Sequence, residues 1–380
     1  MKILIVSDRP NVPVTAGNRS FINSLALFFK SQGHEVHFLF IHEYGVNSEE
    51  ELIDLYRFWG DNLHIYKTSL FNKILRSVKI RFRWWFEKGY YHCDDYYPRG
   101  LHKYVYSLNE RYNFDACLVN YYYLSKLLVQ TDIPRKGLIT HDYFAYKNLL
   151  IGGKHIYLNT NAHQEAIAMQ RSPHIFALNE EEAIYFKRLS PLSVVHNIYS
   201  FYQYHAQPLC YNHNIVFLSG DNQFNQKGIK WFVESVFLKL QEIFPDVKLV
   251  VGGKICNFLR SQNLPEGIEL CGFIEKPCEF YKVGDIAINP ISQGTGLKIK
   301  TFESISFDKI TIVHPHSTIG IFDRSHAPLL VSENPEQWIL FFEKLWTDKV
   351  FLKEMKSKNR IYLKRMNEEI VRQYNLFLNS

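Results

Sequence analysis

Two series of short apolar runs, each alternating with helical stretches, constrain this chain more than any other feature of its sequence. The first series opens with the run Lys2–Ser7, continues through Asn18–Ser31, where apolar residues recur at helical spacing, and reaches a second run at Glu35–Ile41. Continuously apolar strands are typical of parallel sheets that helices cover on both faces. We therefore predict an α/β fold with doubly wound, Rossmann-like parallel sheets.

The alternation stops once, between Tyr199 and Asn214, and resumes with the strand Ile215–Ser219 and the helix Gly228–Phe244. At 380 residues the chain is longer than one usual core supports. We predict one domain at 1–198 and a second at 199–350. The helix at 351–380 is a candidate to cross back to the first domain. Because ligands bind beyond the carboxyl ends of parallel strands, we expect the domains to face a central cleft that holds the site.

Composition excludes several classes of function. The six cysteines are scattered without zinc spacing, and Asp94-Asp95 is not a spaced Asp-x-Asp pair, so we expect no metal and no cofactor. The apolar run at the N-terminus is too short for a signal peptide, and no stretch is apolar enough to span a bilayer. The net charge of +6 is modest, and the basic residues do not surround an aromatic platform. We expect a cytoplasmic protein that does not bind nucleic acid.

Most of the recognisable chemistry lies between Asn289 and Glu303. A strand ends there, a glycine-rich loop follows, and a helix is predicted over Leu297–Phe307. Unpaired N–H groups and the dipole at such a helix start attract anions, and Lys300 lies in the first turn. Glu303 follows on the same face, where its carboxylate can accept hydrogen bonds from a ribose diol. The alternative is a simple glycine turn before a helix whose Lys300 and Glu303 pair on the surface.

The run from Gly294 to Val313 resembles the donor-site block of group 1 (family 4) glycosyltransferases, which have the GT-B fold. In that block a glycine loop and a basic residue precede a helical Glu, a Gly-x-Pro-type turn and a strand. Further segments resemble that family in the same order, over about residues 1–320. They are Thr15–Gly17, Gln32–Val36, Leu138–Asp142, Val195–Asn197, Ser219–Phe232, Ile268–Ile274 and Val283–Pro290.

The resemblance implies that the domain at 1–198 is on the acceptor side and that the domain at 199–350 binds the donor. Transferred residue by residue, it implies a nucleotide-sugar donor site without metal. Glu303 would hold the donor ribose, and Lys227 and Lys300 would neutralise the diphosphate leaving group. Gly17 would let the first loop approach the donor phosphates, and His141 would lie near the transferred sugar. The remaining donor-binding candidates are Gly294, Thr295, Gly296, Leu297 and Lys298.

The resemblance implies transfer of a sugar to a glycan or lipid-linked acceptor, with retention of configuration, in bacterial surface polysaccharide (capsule or lipopolysaccharide) biosynthesis.

The sequence departs from the family pattern at three places. Thr295 occupies the position of a second Glu in many retaining members, Asp221 and Asn222 stand where a basic residue is expected, and Asp308-Lys309-Ile310 replaces the Gly-x-Pro turn. A nucleotide-sugar epimerase of the same fold and a non-catalytic nucleotide- or glycan-binding protein stay open as alternatives.

One basic and aromatic segment, Phe71–Lys88, lies outside these motifs. Its apolar residues fall on one helical face between Phe71 and Phe86, with lysines and arginines off that face. Such a helix is typical of peripheral contact with an anionic membrane, which would bring a lipid-linked acceptor to the cleft. The alternative is an amphipathic helix whose apolar face packs on the core.

Overall fold

The computed structural model describes residues 1–14, 16–43, 47–86, 89–150, 159–294 and 299–380, with only the backbone of Leu150. These residues form two compact units. The first comprises Met1–Phe201 and Glu369–Ser380, and the second comprises Tyr202–Glu368. The sequence analysis places the domain boundaries after residues 198 and 350. In the structure the first unit extends to Phe201, and the second continues to Glu368 in the C-terminal helix.

A parallel seven-stranded sheet, in the order β3-β2-β1-β4-β5-β6-β7, forms the centre of the first unit. Its buried inner strands carry continuous apolar runs, as in β1, where Ile3 to Val6 are fully buried. The strands are β1 Lys2–Ser7, β2 Glu35–His42, β3 Leu63–Lys67, β4 Ala116–Asn120, β5 Arg135–Ile139, β6 His174–Ala177 and β7 Val194–Asn197. The helices are α1 Gly17–Ser31, α2 Glu49–Trp59, α3 Leu70–Phe86, α4 Leu101–Tyr112, α5 Lys126–Gln130, α6 Phe144–Leu150, α7 Ala162–Met169 and α8 Glu180–Leu189.

The second unit contains a parallel six-stranded sheet in the order β10-β9-β8-β11-β12-β13. Its strands are β8 Asn214–Leu218, β9 Lys248–Gly252, β10 Ile268–Gly272, β11 Ile286–Asn289, β12 Ile310–Val313 and β13 Leu329–Val331. The helices are α9 Gln223–Phe232, α10 Leu238–Ile243, α11 Ile255–Leu259, α12 Pro277–Phe280, α13 Ile299–Ser306, α14 Pro335–Thr347 and α15 Lys349–Leu378. Trp338 and Phe232 are fully buried in its core.

The predicted start of the helix Gly228–Phe244 was wrong. Helix α9 begins at Gln223 because the Asn222 side chain caps it, accepting hydrogen bonds from the backbone N–H groups of Phe224 and Asn225. The helix continues through a π-helical stretch, Val233–Phe237, into α10. Lys227 is therefore a helical residue and does not belong to a loop.

The predicted interdomain linker, Tyr199–Asn214, is held by buried carboxylates of the second unit. Asp285 accepts hydrogen bonds from the backbone N–H groups of Cys210 and Tyr211, at 3.0 and 2.8 Å. Asp308 accepts one from the backbone N–H of Gln207 at 3.3 Å. From Tyr202 onward the segment is thus part of the second unit.

The end of α15 packs in the first unit. The Tyr374 ring lies 5.1 Å from that of Phe28, 4.9 Å from that of Phe29 and 5.4 Å from that of Phe176. His196 Nδ1 lies 3.0 Å from Gln373 Oε1. The last turns of the helix therefore bury aromatic surface against α1 and β6.

Replacing Tyr374 by alanine should destabilise the first unit by about 3–5 kcal/mol, because it leaves a cavity among packed aromatic rings. Hydrogen exchange of the β6 amides would measure the loss. Leu376→Ala is the matched control, since Leu376 is 51% exposed and should change protection little. Equal protection in the two variants would contradict the packing role of Tyr374.

Candidate functional site

The strand order of the second sheet reverses between β8 and β11, which is where ligands bind in such sheets. Helix α9 follows β8 and helix α13 follows β11, and a hydrogen bond joins the two helices there. Lys300 Nζ donates to Asn225 Oδ1 at 3.0 Å, and Asn225 Nδ2 donates to the Gly220 carbonyl at 2.8 Å. Because the amide group of Asn225 is held in this orientation, the Lys300 ammonium is fixed at the crevice.

Glu303 lies one turn after Lys300 on α13. The Tyr281 hydroxyl hydrogen-bonds to its carboxylate, and burial raises the pKa of Glu303 from 4.5 to about 7 against the opposing effects of Lys300 and Tyr281. Tyr281 in turn stacks on Phe307, with ring centroids 4.8 Å apart. Lys300 and Glu303 are half-buried and bond to different partners, so the alternative of a simple surface pair does not describe them.

The loop after β11 is held closely between two elements. A Cβ atom at Gly228 of α9 would lie 2.9 Å from the Pro290 carbonyl oxygen, so only glycine permits this approach. Gly294 has φ +122°, a backbone conformation that favours glycine, and its carbonyl lies 2.8 Å from His316 Nε2. The predicted residues Thr295, Gly296, Leu297 and Lys298 lie outside the described residues, and the described part of the predicted helix Leu297–Phe307 begins at Ile299.

Lys227 is exposed on α9, three residues after Phe224. The Phe224 ring lies 3.5 Å from the position that a Cβ atom at Gly294 would take. Residues three apart share a helical face, so Lys227 lies on the α9 face toward the Gly294 loop. Helix α9 therefore approaches Gly294 through Phe224 and Lys300 through Asn225.

In the first unit, His141 follows β5 and is buried. The apolar run of Leu138–His141 also predicts a strand that ends at His141, but β5 stops at Ile139 and His141 takes φ +65°. Its Nε2 lies 2.8 Å from Asn120 Oδ1, while Asn120 Nδ2 donates to the Val6 carbonyl. Burial lowers the pKa of His141 to about 3, so the ring is neutral, carries its hydrogen on Nε2 and leaves Nδ1 as an acceptor.

Gly17 is the first residue of α1, at the point where the order of the first sheet reverses between β1 and β4. The neighbouring Asn18 donates a hydrogen bond from Nδ2 to the Tyr121 hydroxyl at 2.8 Å. The Tyr121 ring stacks on His141 with centroids 4.3 Å apart. The start of α1 and His141 are therefore joined through Tyr121 within this unit.

The sequence analysis missed Asn225, Tyr281 and His316. Asn225 lies only three residues after the capping Asn222, and recognising this cap would have placed it on a helix facing the loop after β11. No signal in the sequence pointed to Tyr281 or His316, because each reaches the site from a separate segment of the chain.

Helix α3 exposes its apolar face, so the interpretation that this face packs on the core was wrong. Phe82 is 67% and Trp85 is 85% exposed, and Ile80 is the buried apolar residue of the helix. Lys88, the end of the predicted surface segment, lies outside the described residues. No helix in the described ranges combines the length and apolar character needed to cross a bilayer.

The raised pKa of Glu303 makes the stability of the fold depend on pH. The folded chain holds the Glu303 proton up to about pH 7, whereas the unfolded chain releases it near 4.5. This contribution is present below pH 4.5 and is lost as the pH rises through 7. When the pH rises from 4 to 8, the free energy of unfolding of the wild type should therefore fall by about 2–3 kcal/mol more than that of Glu303→Gln. Urea unfolding at the two pH values measures both changes. The control Glu242→Gln replaces an exposed glutamate, and its free energy of unfolding should depend on pH as that of the wild type does. If Glu303→Gln also showed the wild-type pH dependence, Glu303 would not be its source.

Comparisons with known proteins agree with this geometry. Residues 212–348 match the family model described as glycosyl transferases group 1. The search of curated proteins gives no match. The fold is similar to that of TarM, with a TM-score of 0.70 at 11% identity over 100% of this chain and 99% of that chain. A mutant of S. aureus TarM in complex with fondaparinux, alpha-GlcNAc-glycerol and UDP has a TM-score of 0.66 at 12% identity, over 100% of both chains.

Two further structures share the fold. HepE from Anabaena in complex with UDP has a TM-score of 0.67 at 10% identity over 100% of both chains. Sucrose-phosphate synthase from Thermosynechococcus elongatus has a TM-score of 0.65 at 12% identity over 99% of this chain and 98% of that chain. The fold shared over the chain is therefore the GT-B fold, and the second unit is similar to the group 1 glycosyl transferases.

Proposed function

We propose that this enzyme transfers a sugar from a UDP-sugar to a glycan or lipid-linked acceptor, with retention of configuration, in bacterial surface polysaccharide biosynthesis. The observation that carries the donor assignment is the bond between Lys300 and Asn225, with Glu303 one turn further along α13. It fixes a cation and a carboxylate at the crevice where the strand order reverses, which suits a nucleoside diphosphate.

The proposed chemistry follows from charge separation. Breaking the bond between sugar and phosphate leaves negative charge on the diphosphate, which Lys300 and Lys227 would stabilise more strongly as it grows. Backbone groups of Gly294, Thr295, Gly296 and Leu297 would line the diphosphate and the sugar, with Lys298 beside them. These roles rest on the resemblance and on the helix start that follows the loop.

Glu303 would accept hydrogen bonds from the two ribose hydroxyls. Tyr281 hydrogen-bonds to its carboxylate, and a carboxylate has lone pairs enough to accept further bonds. Because the pKa of Glu303 is about 7, donor binding near neutral pH would favour the ionised form. The buried tyrosine would thus hold the carboxylate in position for the ligand.

His141 would orient the transferred sugar. Because Nε2–H donates to Asn120, Nδ1 can accept a hydrogen bond from a sugar hydroxyl. The ring is neutral, so it neither repels nor attracts charged groups strongly. Gly17 would allow the donor phosphates to approach the start of α1. We assign His141 a positioning role and no proton transfer, because its pKa of about 3 prevents it from accepting a proton near neutral pH.

The solved structures support the choice of ligands. HepE has been crystallised with UDP and with UDP-glucose, and the TarM mutant with UDP and alpha-GlcNAc-glycerol. These complexes motivate a uracil nucleotide and a glycan acceptor for this chain. The exposed apolar face of α3 supports a peripheral position on the cytoplasmic face of an anionic membrane, where lipid-linked acceptors are found.

Replacing Glu303 by alanine should weaken UDP binding by about 2–3 kcal/mol, because two hydrogen bonds to a charged acceptor are lost. Isothermal titration calorimetry with UDP measures this change directly. The matched control is Glu242→Ala on α10, where the side chain is exposed. Unchanged UDP affinity in Glu303→Ala would remove Glu303 from the donor site.

Analysis of the reaction product tests the transfer itself. A glycoside that keeps the anomeric configuration of the donor sugar is the expected product, and proton NMR reads that configuration. A free, epimerised nucleotide sugar would instead support the epimerase alternative, and a glycoside of inverted configuration would refute retention.

Partitioning to membranes should depend on the exposed aromatic residues of α3. Burying a large aromatic side chain in an apolar phase contributes about 1.5–3 kcal/mol, so Phe82→Ser with Trp85→Ser should lower binding to anionic liposomes at least tenfold in flotation. Leu192→Ser is the control, since Leu192 is fully exposed elsewhere in the same unit. Equal flotation of all three proteins would end the membrane assignment.

A further inference from the structure

Two aromatic residues of the first unit have a backbone conformation that residues other than glycine rarely adopt. Tyr121 directly follows β4 and has φ +74° and ψ 139°. His141 lies two residues after β5 and has φ +65°. Such conformations cost free energy and persist only where the surrounding structure holds them. The contacts of these two residues must therefore maintain their backbone conformations.

Tyr121 is held through both its backbone and its ring. Its backbone N–H donates to the Ile139 carbonyl at 2.8 Å, just past the end of β4. Its side chain is buried, and its ring stacks on those of His141 and Tyr123, with centroids 4.3 and 5.3 Å away. The Tyr123 hydroxyl in turn donates to the Asp8 carboxylate at 3.0 Å. Tyr121 therefore joins three rings at the carboxyl ends of neighbouring strands.

The start of α1 contacts both members of the central ring pair. The Tyr121 hydroxyl accepts a hydrogen bond from Asn18 Nδ2 at 2.8 Å, and Asn18 directly follows Gly17, the first residue of α1. Phe21, three residues further along the helix, meets the His141 ring edge-on, with centroids 5.4 Å apart. Any change at Tyr121 is therefore transmitted to His141 and to the start of α1.

The side chain of Tyr121 gives the reason for a tyrosine at this position. Glycine adopts φ +74° without steric cost. It would provide neither the ring that stacks on His141 nor the hydroxyl that accepts a hydrogen bond from Asn18. Tyrosine thus occupies a position where its backbone is unfavourable and its side chain makes the contacts. Strained residues of this kind are typical of sites where the fold holds a group in one orientation for a ligand.

We propose that Tyr121 is a positioning residue for the donor sugar, because it fixes the plane of the His141 ring and ties that ring to the start of α1. The inference rests on the proposed function, in which His141 orients the transferred sugar and Gly17 admits the donor phosphates. Tyr121 acts through His141. Its loss therefore lowers the part of the donor affinity that the sugar contributes and leaves the part that the nucleotide contributes.

The test titrates the full chain calorimetrically with UDP and with a panel of UDP-sugars that includes UDP-glucose. Tyr121→Gly removes the ring and relieves the strain. It should weaken binding of the UDP-sugar that wild type binds best by about tenfold, the contribution of one oriented hydrogen bond, and change UDP affinity less than about twofold. Tyr121→Phe keeps the ring and should retain most of the sugar contribution. Tyr121→Asn, which also tolerates positive φ, repeats the test if the glycine variant unfolds.

The matched control is Tyr122→Leu, which removes a buried ring that packs on Tyr123 and Phe144. A loss in this control as large as in Tyr121→Gly would show a general structural effect and overturn the proposal.

The proton NMR shifts of the His141 ring report the stack independently, because a proton over the face of an aromatic ring resonates upfield. Tyr121→Phe should keep the wild-type shifts and Tyr121→Gly should lose them. Unchanged preference for the UDP-sugar over UDP in Tyr121→Gly would overturn the proposal, as would a wild type that binds UDP but no UDP-sugar more tightly. Failure of wild type to bind UDP would instead contradict the proposed function itself, and this proposal with it.

Discussion

The hydrogen bond from Lys300 to Asn225 is the interaction on which the candidate donor site depends. It joins the two helices that follow β8 and β11, the neighbouring strands between which the sheet order reverses. A cation at the first turn of a helix opposes the helix dipole, so it requires compensation from neighbouring groups. Asn225 supplies an acceptor oxygen, and the Glu303 carboxyl one turn away supplies negative charge once it ionises near pH 7. The candidate site is therefore a small polar network that joins α9 and α13.

Much of the fold could be predicted because inner parallel strands are apolar on both faces, and β1 and β11 show this in their sequences. Strand β3 and the three-residue β13 were not predicted, because β3 is partly exposed and β13 is short and has no buried residue. The helix predicted from Gly228 begins earlier, at Gln223, because the Asn222 cap was not recognised. Gly228 lies inside the helix, where the Pro290 carbonyl approaches too closely for a Cβ atom.

Lys300 and Glu303 could be predicted because their spacing on one helix is visible in the sequence. Tyr281 and His316 could not, because no periodic pattern records contacts between separate segments. The departure at Asp308 has a local explanation. Asp308 takes φ +59°, a conformation that asparagine and aspartate tolerate better than most residues, so the turn is kept where the family has glycine. Similarly, amphipathic spacing in α3 indicated an apolar face but could not tell whether protein or solvent meets it.

The buried state of His141 has a consequence for how the enzyme responds to acid. Since desolvation keeps this imidazole uncharged down to about pH 3, the His141 ring itself keeps one protonation state across the whole physiological range. Acidification would therefore act on this part of the first unit through other carboxyl groups, such as that of Glu165, whose pKa burial raises to about 7.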